Sequence, residues 1–78
     1  MKSKNRLNRS NAFHSYLGEK YDNLVAKTKP GSKKNKIALV KSEYHFRIFG
    51  AQQASNRIMP LTQRIRVYRS CLNEIKNN

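Results

Sequence analysis

The 78-residue chain is short of acid, cysteine, glycine and proline: four Asp or Glu, one Cys, three Gly, two Pro, and no tryptophan. Each shortage excludes something. A lone thiol, Cys71, cannot close an internal disulfide, which removes the disulfide-stapled secreted scaffolds. A zinc ribbon or finger needs several thiolates or clustered imidazoles, so no metal is expected. The glycines are isolated and form no phosphate-cradling loop, so no cofactor is expected either. No window approaches the roughly 18 consecutive apolar residues of a membrane-spanning helix. These exclusions lead to an expectation of a small, soluble, intracellular and cytoplasmic protein with no membrane partner.

What is abundant is positive charge. Seventeen Lys and Arg against four acids give a formal net charge of +13, with 37% of residues apolar. A chain this short has room for one small core, and so one-sided a charge favours expanded forms until an anionic partner neutralises it. Ordering opposes folding by about 1–2 kcal/mol per residue. The expectation is a modest core with flexible basic appendages that order on binding.

The expected organisation is a flexible basic arm over residues 1–10, one domain over 11–76 and a frayed Asn77-Asn78 tail. The arm carries Lys2, Lys4, Arg6 and Arg9 without an acid. It lacks both a secretory apolar region and the amphipathic repeat of a transit segment. Ser10 or Asn11 can cap a helix over about 11–28, with Phe13, Leu17, Tyr21 and Leu24 as its apolar face. Gly18 within it costs about 1 kcal/mol relative to Ala. Lys29-Pro30-Gly31-Ser32 ends that helix in a type II turn and opens a basic loop, 29–36, with Lys33, Lys34 and Lys36.

Residues 37–49 are rich in β-branched and aromatic types. Ile37 and Leu39 alternate, then Tyr44, Phe46 and Ile48 alternate in the opposite phase, which predicts a short hairpin turning near 41–43. The rival is a single helix with Ile37, Val40, Tyr44, Ile48 and Ala51 inward. Gly50 to Asn56 reads as a connecting segment or a weak helix start. Pro60 then opens a C-terminal helix whose Leu61, Ile65, Tyr68, Leu72 and Ile75 recur at helical spacing as a buried seam. The expected fold is therefore small α+β: N-terminal helix, β-hairpin and C-terminal helix, with disordered basic arms. An all-α three-helix arrangement is the alternative.

Catalysis has little to work with. A general acid–base pair needs two carboxylates, or a His with an orienting acid, in one pocket. Glu19 and Asp22 face away from the expected core. Glu43 and His45 would share one side of a strand, a spacing common by chance. His14 reads as solvated, and Cys71, which could pair with His45 as a nucleophile, reads as a small buried hydrophobe. No enzyme and no small-molecule substrate are expected.

The cations are the stronger signal. On the C-terminal helix, Arg66, Arg69 and Lys76 cluster on one flank of the apolar seam and Arg64 on the other. Arginine's planar fork suits bidentate phosphate contact. The arm cations, with Lys27, Lys29, Lys33, Lys34 and Lys36, suit sequence-independent phosphate contact. Arg47 lies beside Tyr44 and Phe46, where an exposed sheet could stack unpaired bases, and Arg57 precedes the last helix. In composition, though not in any motif, the chain resembles small proteins of large ribonucleoprotein particles, the ribosome above all. The expected function is non-enzymatic binding of structured RNA, favoured over DNA, within such an assembly. One alternative is a phage- or plasmid-type effector that docks on a larger nucleic-acid-processing enzyme. Another is a DNA-binding regulator, because Gln52 to Arg57 with the following helix loosely allows a helix-turn-helix. A basic helix lying on a membrane surface is set aside, since the seam is needed for the core.

Overall fold

The computed structural model describes the backbone of residues 2–76 and the side chains of residues 5–76. It contains three helices, α1 (Lys2–Lys27), α2 (Lys33–Ser55) and α3 (Leu61–Lys76). Among the described residues there is no strand. The expected α+β class is thus wrong, and the all-α alternative describes the chain. Residues 37–49, expected as a hairpin, lie wholly within α2.

The reason is the composition of the helix-packing seam. Along α1, Leu7, Asn11, His14, Gly18, Tyr21, Val25 and Thr28 are buried or half-buried, and their spacings alternate four and three. Along α2, Asn35, Ala38, Ser42, His45, Phe49 and Gln52 alternate three and four in the same way. That is the 3.5-residue repeat of paired helices packing side by side. Most of the repeat positions are polar or small, so a hydrophobicity pattern does not reveal them. The alternation of Tyr44, Phe46 and Ile48 is incidental to it.

The pairing is antiparallel and held by polar bonds at each level. At the closed end, Asn35 Nδ2 donates to Val25 O and Thr28 Oγ1, both at 3.1 Å, and Asn35 Oδ1 accepts from Gly31 N–H at 3.3 Å. Midway, Ser42 Oγ donates to Gly18 O at 3.3 Å. One level on, His14 Nδ1 meets His45 Nδ1 at 2.9 Å. At the open end, Gln52 Nε2 donates to Ser10 Oγ at 3.0 Å and to Asn11 Oδ1 at 2.9 Å. Its Oε1 accepts from Met59 N–H at 2.9 Å, which ties the α2–α3 connection to the same point.

Two further expectations change for this reason. Ser10 and Asn11 are not caps: α1 runs from Lys2, and these side chains serve Gln52 instead. The stretch expected as a disordered arm is the first turns of α1, anchored by buried Leu7. Lys2 and Lys4 side chains, like the Asn77-Asn78 tail, lie outside the described residues. Gly18 is also more than a weak helix former. A Cβ there would lie 2.9 Å from the Phe46 ring, so glycine allows α2 to approach closely.

The turn forms as the sequence requires. Ser32 N–H donates to Lys29 O at 3.0 Å, and Gly31 has φ +82°, the left-handed position of a type II turn. Ser32 then caps α2 by accepting from Asn35 N–H at 3.2 Å, so Lys33, Lys34 and Lys36 form the first turns of a helix rather than a loop. Asn56, at φ 56°, ends α2 in the left-handed region, and of the two readings of 50–56 the structure takes helix, as the end of α2 rather than the start of a new one.

α3 packs on a second face of α2, about 125° round from the first at 100° per residue. Ile37, Val40, Tyr44 and Ile48 lie on that face, with Val40 and Ile48 buried. Among the described residues the backbones of α1 and α3 do not come together. The result is an open arrangement of 44 × 23 × 16 Å. Its radius of gyration, 13.3 Å, exceeds the roughly 11.5 Å of a compact chain this long.

An open layer leaves apolar surface uncovered. Phe13 and Leu24, expected in the core, are exposed, Phe13 by 56%, while Leu17 and Tyr21 are half-buried. On α3, the side facing α2 is Arg64, Val67, Cys71 and Ile75. The expected seam lies about 80° away, and its Leu61 (62%), Ile65 (44%) and Leu72 (37%) are exposed. No helix is long and apolar enough to cross a membrane among the described residues.

Gln52 is 1% exposed and serves three partners, so Gln52→Ala should cost about 2–4 kcal/mol through the cavity and the unpaired groups it leaves. The exposed neighbour change Gln53→Ala should stay within about 0.5 kcal/mol. Urea denaturation of both variants checks the pair.

Candidate polyanion-binding surface

The cations are distributed by the antiparallel pairing of α1 and α2. The end of α1, the turn and the start of α2 bring Lys27, Lys29, Lys33, Lys34 and Lys36 to one pole of the layer, all exposed. α3 ends at the same pole, where Lys76 shares a groove with Lys33 and Lys36. At the opposite pole, Arg6 and Arg9 of α1 lie near the end of α2, Arg57 is in the connection, and Arg64 opens α3. The 23 residues of α2 put about 34 Å between the poles. The sequence holds no acid between Asp22 and Glu43, or between Glu43 and Glu74.

Between the poles, Arg66 and Arg69 project from α3 on the side away from α2, both exposed. They join Lys76 as the expected flank, but the surface beside them is the uncovered apolar seam. Arg64 stands apart from them. It is half-buried, its charge acts on His14 of α1, and its Nε finds no hydrogen-bond partner among the described residues.

Arg47 departs from its expected role. It bonds Glu43 one turn away on α2, at 3.3 Å, and also Glu74 on α3. Among the described residues it is the one cation held by carboxylates. Both partners are about half exposed, so each bond contributes little stability, of order 0–1 kcal/mol. The pairing nevertheless occupies two of the four acids and leaves Arg47 already held by carboxylates. With no sheet present, Tyr44, Phe46 and Arg47 form no stacking platform. Tyr44 instead meets the Tyr68 ring edge-on at 5.5 Å between centroids.

The residues suspected of chemistry are placed differently from the sequence expectation. Glu43 does not reach His45, because on a helix residues two apart diverge. His14, expected to be solvated, is 4% exposed. It shares one proton with His45: one ring donates through Nδ1–H and the other accepts. Phe13, Tyr21 and Tyr44 surround His45, Tyr21 stacking on it with rings 5° from parallel. Burial pushes His45 down to about 4, aided by the charges of His14 and Lys41. Burial also lowers His14, with Arg64 adding to the effect. Cys71 is fully buried, facing Arg47 rather than His45, and burial raises its thiol pKa despite that guanidinium. No group of three or more metal-ligating side chains occurs among the described residues.

Sequence reasoning missed the histidine pair and Gln52, and the only trace of them is the 3.5-residue recurrence of polar and small residues. Neither family models, nor curated proteins, nor solved structures match this chain.

The histidine pair makes stability depend on pH. Both imidazoles titrate near 6.5 when unfolded but lower when folded, so between those values the unfolded chain binds more protons. Stability is therefore complete above about pH 6.5 and falls below it, for His45 down to about pH 4, by up to about 1.4 kcal/mol per pH unit per histidine. Urea midpoints measured from pH 7.5 to 4.5 should decline, and His14→Asn/His45→Asn should flatten the decline.

Proposed function

We propose that this chain is a non-enzymatic nucleic-acid binder that contacts the phosphates of structured RNA through its two cationic poles and the arginine strip of α3. The observation that carries the reading is the segregation of exposed cations from acids. Four acids serve the whole chain, two of them already bonded to Arg47, and apart from Glu74 near Lys76 neither pole has a carboxylate in its own stretch of sequence. A merely solvated surface mixes the two signs. Flexible lysines at one pole suit point contacts with phosphate, and the arginines of α3 suit bidentate ones.

Structured RNA is favoured over a single DNA groove because the cations do not lie on one face. They sit at both ends and along the outer side of α3, which suits a folded polyanion presenting phosphate from several directions. A component of a ribonucleoprotein particle, such as the ribosome, is the setting this supports, and in it the self-repulsion of +13 charges is relieved by the partner.

Binding to a folded RNA should weaken steeply with salt, with a log–log slope of roughly −0.7 to −0.9 per phosphate neutralised. Arg66→Glu/Arg69→Glu should weaken it at least tenfold, about 1.4 kcal/mol or more, and leave the thermal melt unchanged, since both side chains are exposed. Filter binding across a salt series, with melts in parallel, reads both. Unchanged affinity with equal melts would remove the α3 strip from the interface.

A further inference from the structure

A groove of about 360 Å³ runs between the start of α2 and the end of α3. Its walls are Ile37, Val40, Tyr68, Leu72 and Ile75, and its rim is Lys33, Lys36 and Lys76. Only Val40 among the wall residues is fully buried; Ile37 is 47% exposed. The groove does not stop at its own end. Tyr68 and Leu72 also belong to the seam of α3, which continues through exposed Ile65 and Leu61. From Leu61 to Leu72 is about 16 Å, three helical turns of uncovered apolar surface.

We propose that this groove and the seam beyond it form a docking site for an acidic amphipathic helix of a protein partner. Charge complementarity selects the occupant. Three ammonium groups ring an apolar floor that has no carboxylate in its lining, so the matching ligand presents bulky apolar side chains flanked by Asp or Glu. A second copy of this chain is the wrong shape electrostatically, because it would set the same lysines against themselves. Nucleic acid gains little here, since an apolar wall offers nothing to phosphate. The three-turn length of the stripe matches a helix with anchors at i, i+3 or i+4, and i+7, which is how a helix lies in a groove. The chain would then join an acidic protein segment, held by the groove and its Lys33, Lys36 and Lys76 rim, to a nucleic acid held by the remaining cations of the poles and of α3.

The test uses a synthetic peptide of about 14 residues with Leu at helical spacing and Glu on both flanks. Fluorescence anisotropy should show saturable binding to the intact chain below roughly 100 μM. Leu72→Lys and Ile37→Lys, both at exposed positions, should each weaken it about tenfold or more, with circular-dichroism melts unchanged and RNA affinity retained. A control peptide with the Leu residues changed to Ser should lose binding. Equal binding of that control, which would mean charge attraction alone, overturns the proposal. So do an absence of binding with normal melts, unchanged affinity in both variants, and stronger uptake of the chain by phosphatidylglycerol vesicles that the same two variants abolish. RNA affinity is read separately, so failure of the groove and failure of the RNA reading are distinguishable.

Discussion

The polar seam between α1 and α2 is the constraint from which the rest of the molecule follows. A chain with this charge and this few large apolar residues cannot fold around an oily interior. It pairs two helices through hydrogen bonds instead: Asn35 at the turn, Ser42 to Gly18, His14 to His45, and Gln52 at the open end. Each bond contributes only about 1 kcal/mol net, yet removing one partner strands the other in a buried site. Such a seam specifies register more strongly than it adds stability, because a shift by one turn would part His14 from His45 and Gln52 from Ser10 and Asn11. Buried polar residues fixing register is well attested in paired helices.

From that economy comes the openness of the layer. The large apolar side chains are not consumed in closing a bundle. They line a second, shallower interface where α3 meets α2, or they remain uncovered along α3 and on the outer side of α1. The antiparallel pairing also sorts the charge, gathering lysines where α1 turns into α2 and arginines where α2 turns toward α3. A cationic surface and an apolar groove therefore lie side by side on a thin scaffold. That arrangement suits a small adaptor more readily than a self-contained globule.

How much of this was legible depended on whether the signal was local. The Lys29–Ser32 turn and the Pro60 helix start are written in residues that act on their own backbone, and both were readable. Cys71 was readable as buried because a free thiol behaves as a small hydrophobe. Residues 37–49 were legible only through the rival helix, whose inward Ile37, Val40, Tyr44 and Ile48 form the face that meets α3, although Ala51 is exposed. Val, Ile and aromatic residues there also satisfy strand preferences, while the positions that pair with α1, Asn35, Ser42, His45 and Gln52, carry no hydrophobic signal to break the tie. Leu61, Ile65 and Leu72 misled in the opposite direction: their spacing identified the helix correctly but not its buried side, which α2 assigns to Val67 and Cys71. Among the candidate cations, the partner of Arg47 and the half-burial of Arg64 required the third dimension, Glu74 being 27 residues from Arg47. The clustering of the others into two poles needed nothing beyond knowing that α1 and α2 pair antiparallel.

The imidazole nitrogen spectrum at neutral pH examines the seam most directly. The two rings should appear as one Nδ1–H and one Nε2–H tautomer, with through-space cross-peaks from His14 to His45 and from Tyr21 to His45. Two independent, solvent-exchanging rings that titrate near 6.5, with no cross-peak between them, would contradict the pairing and the antiparallel register built on it.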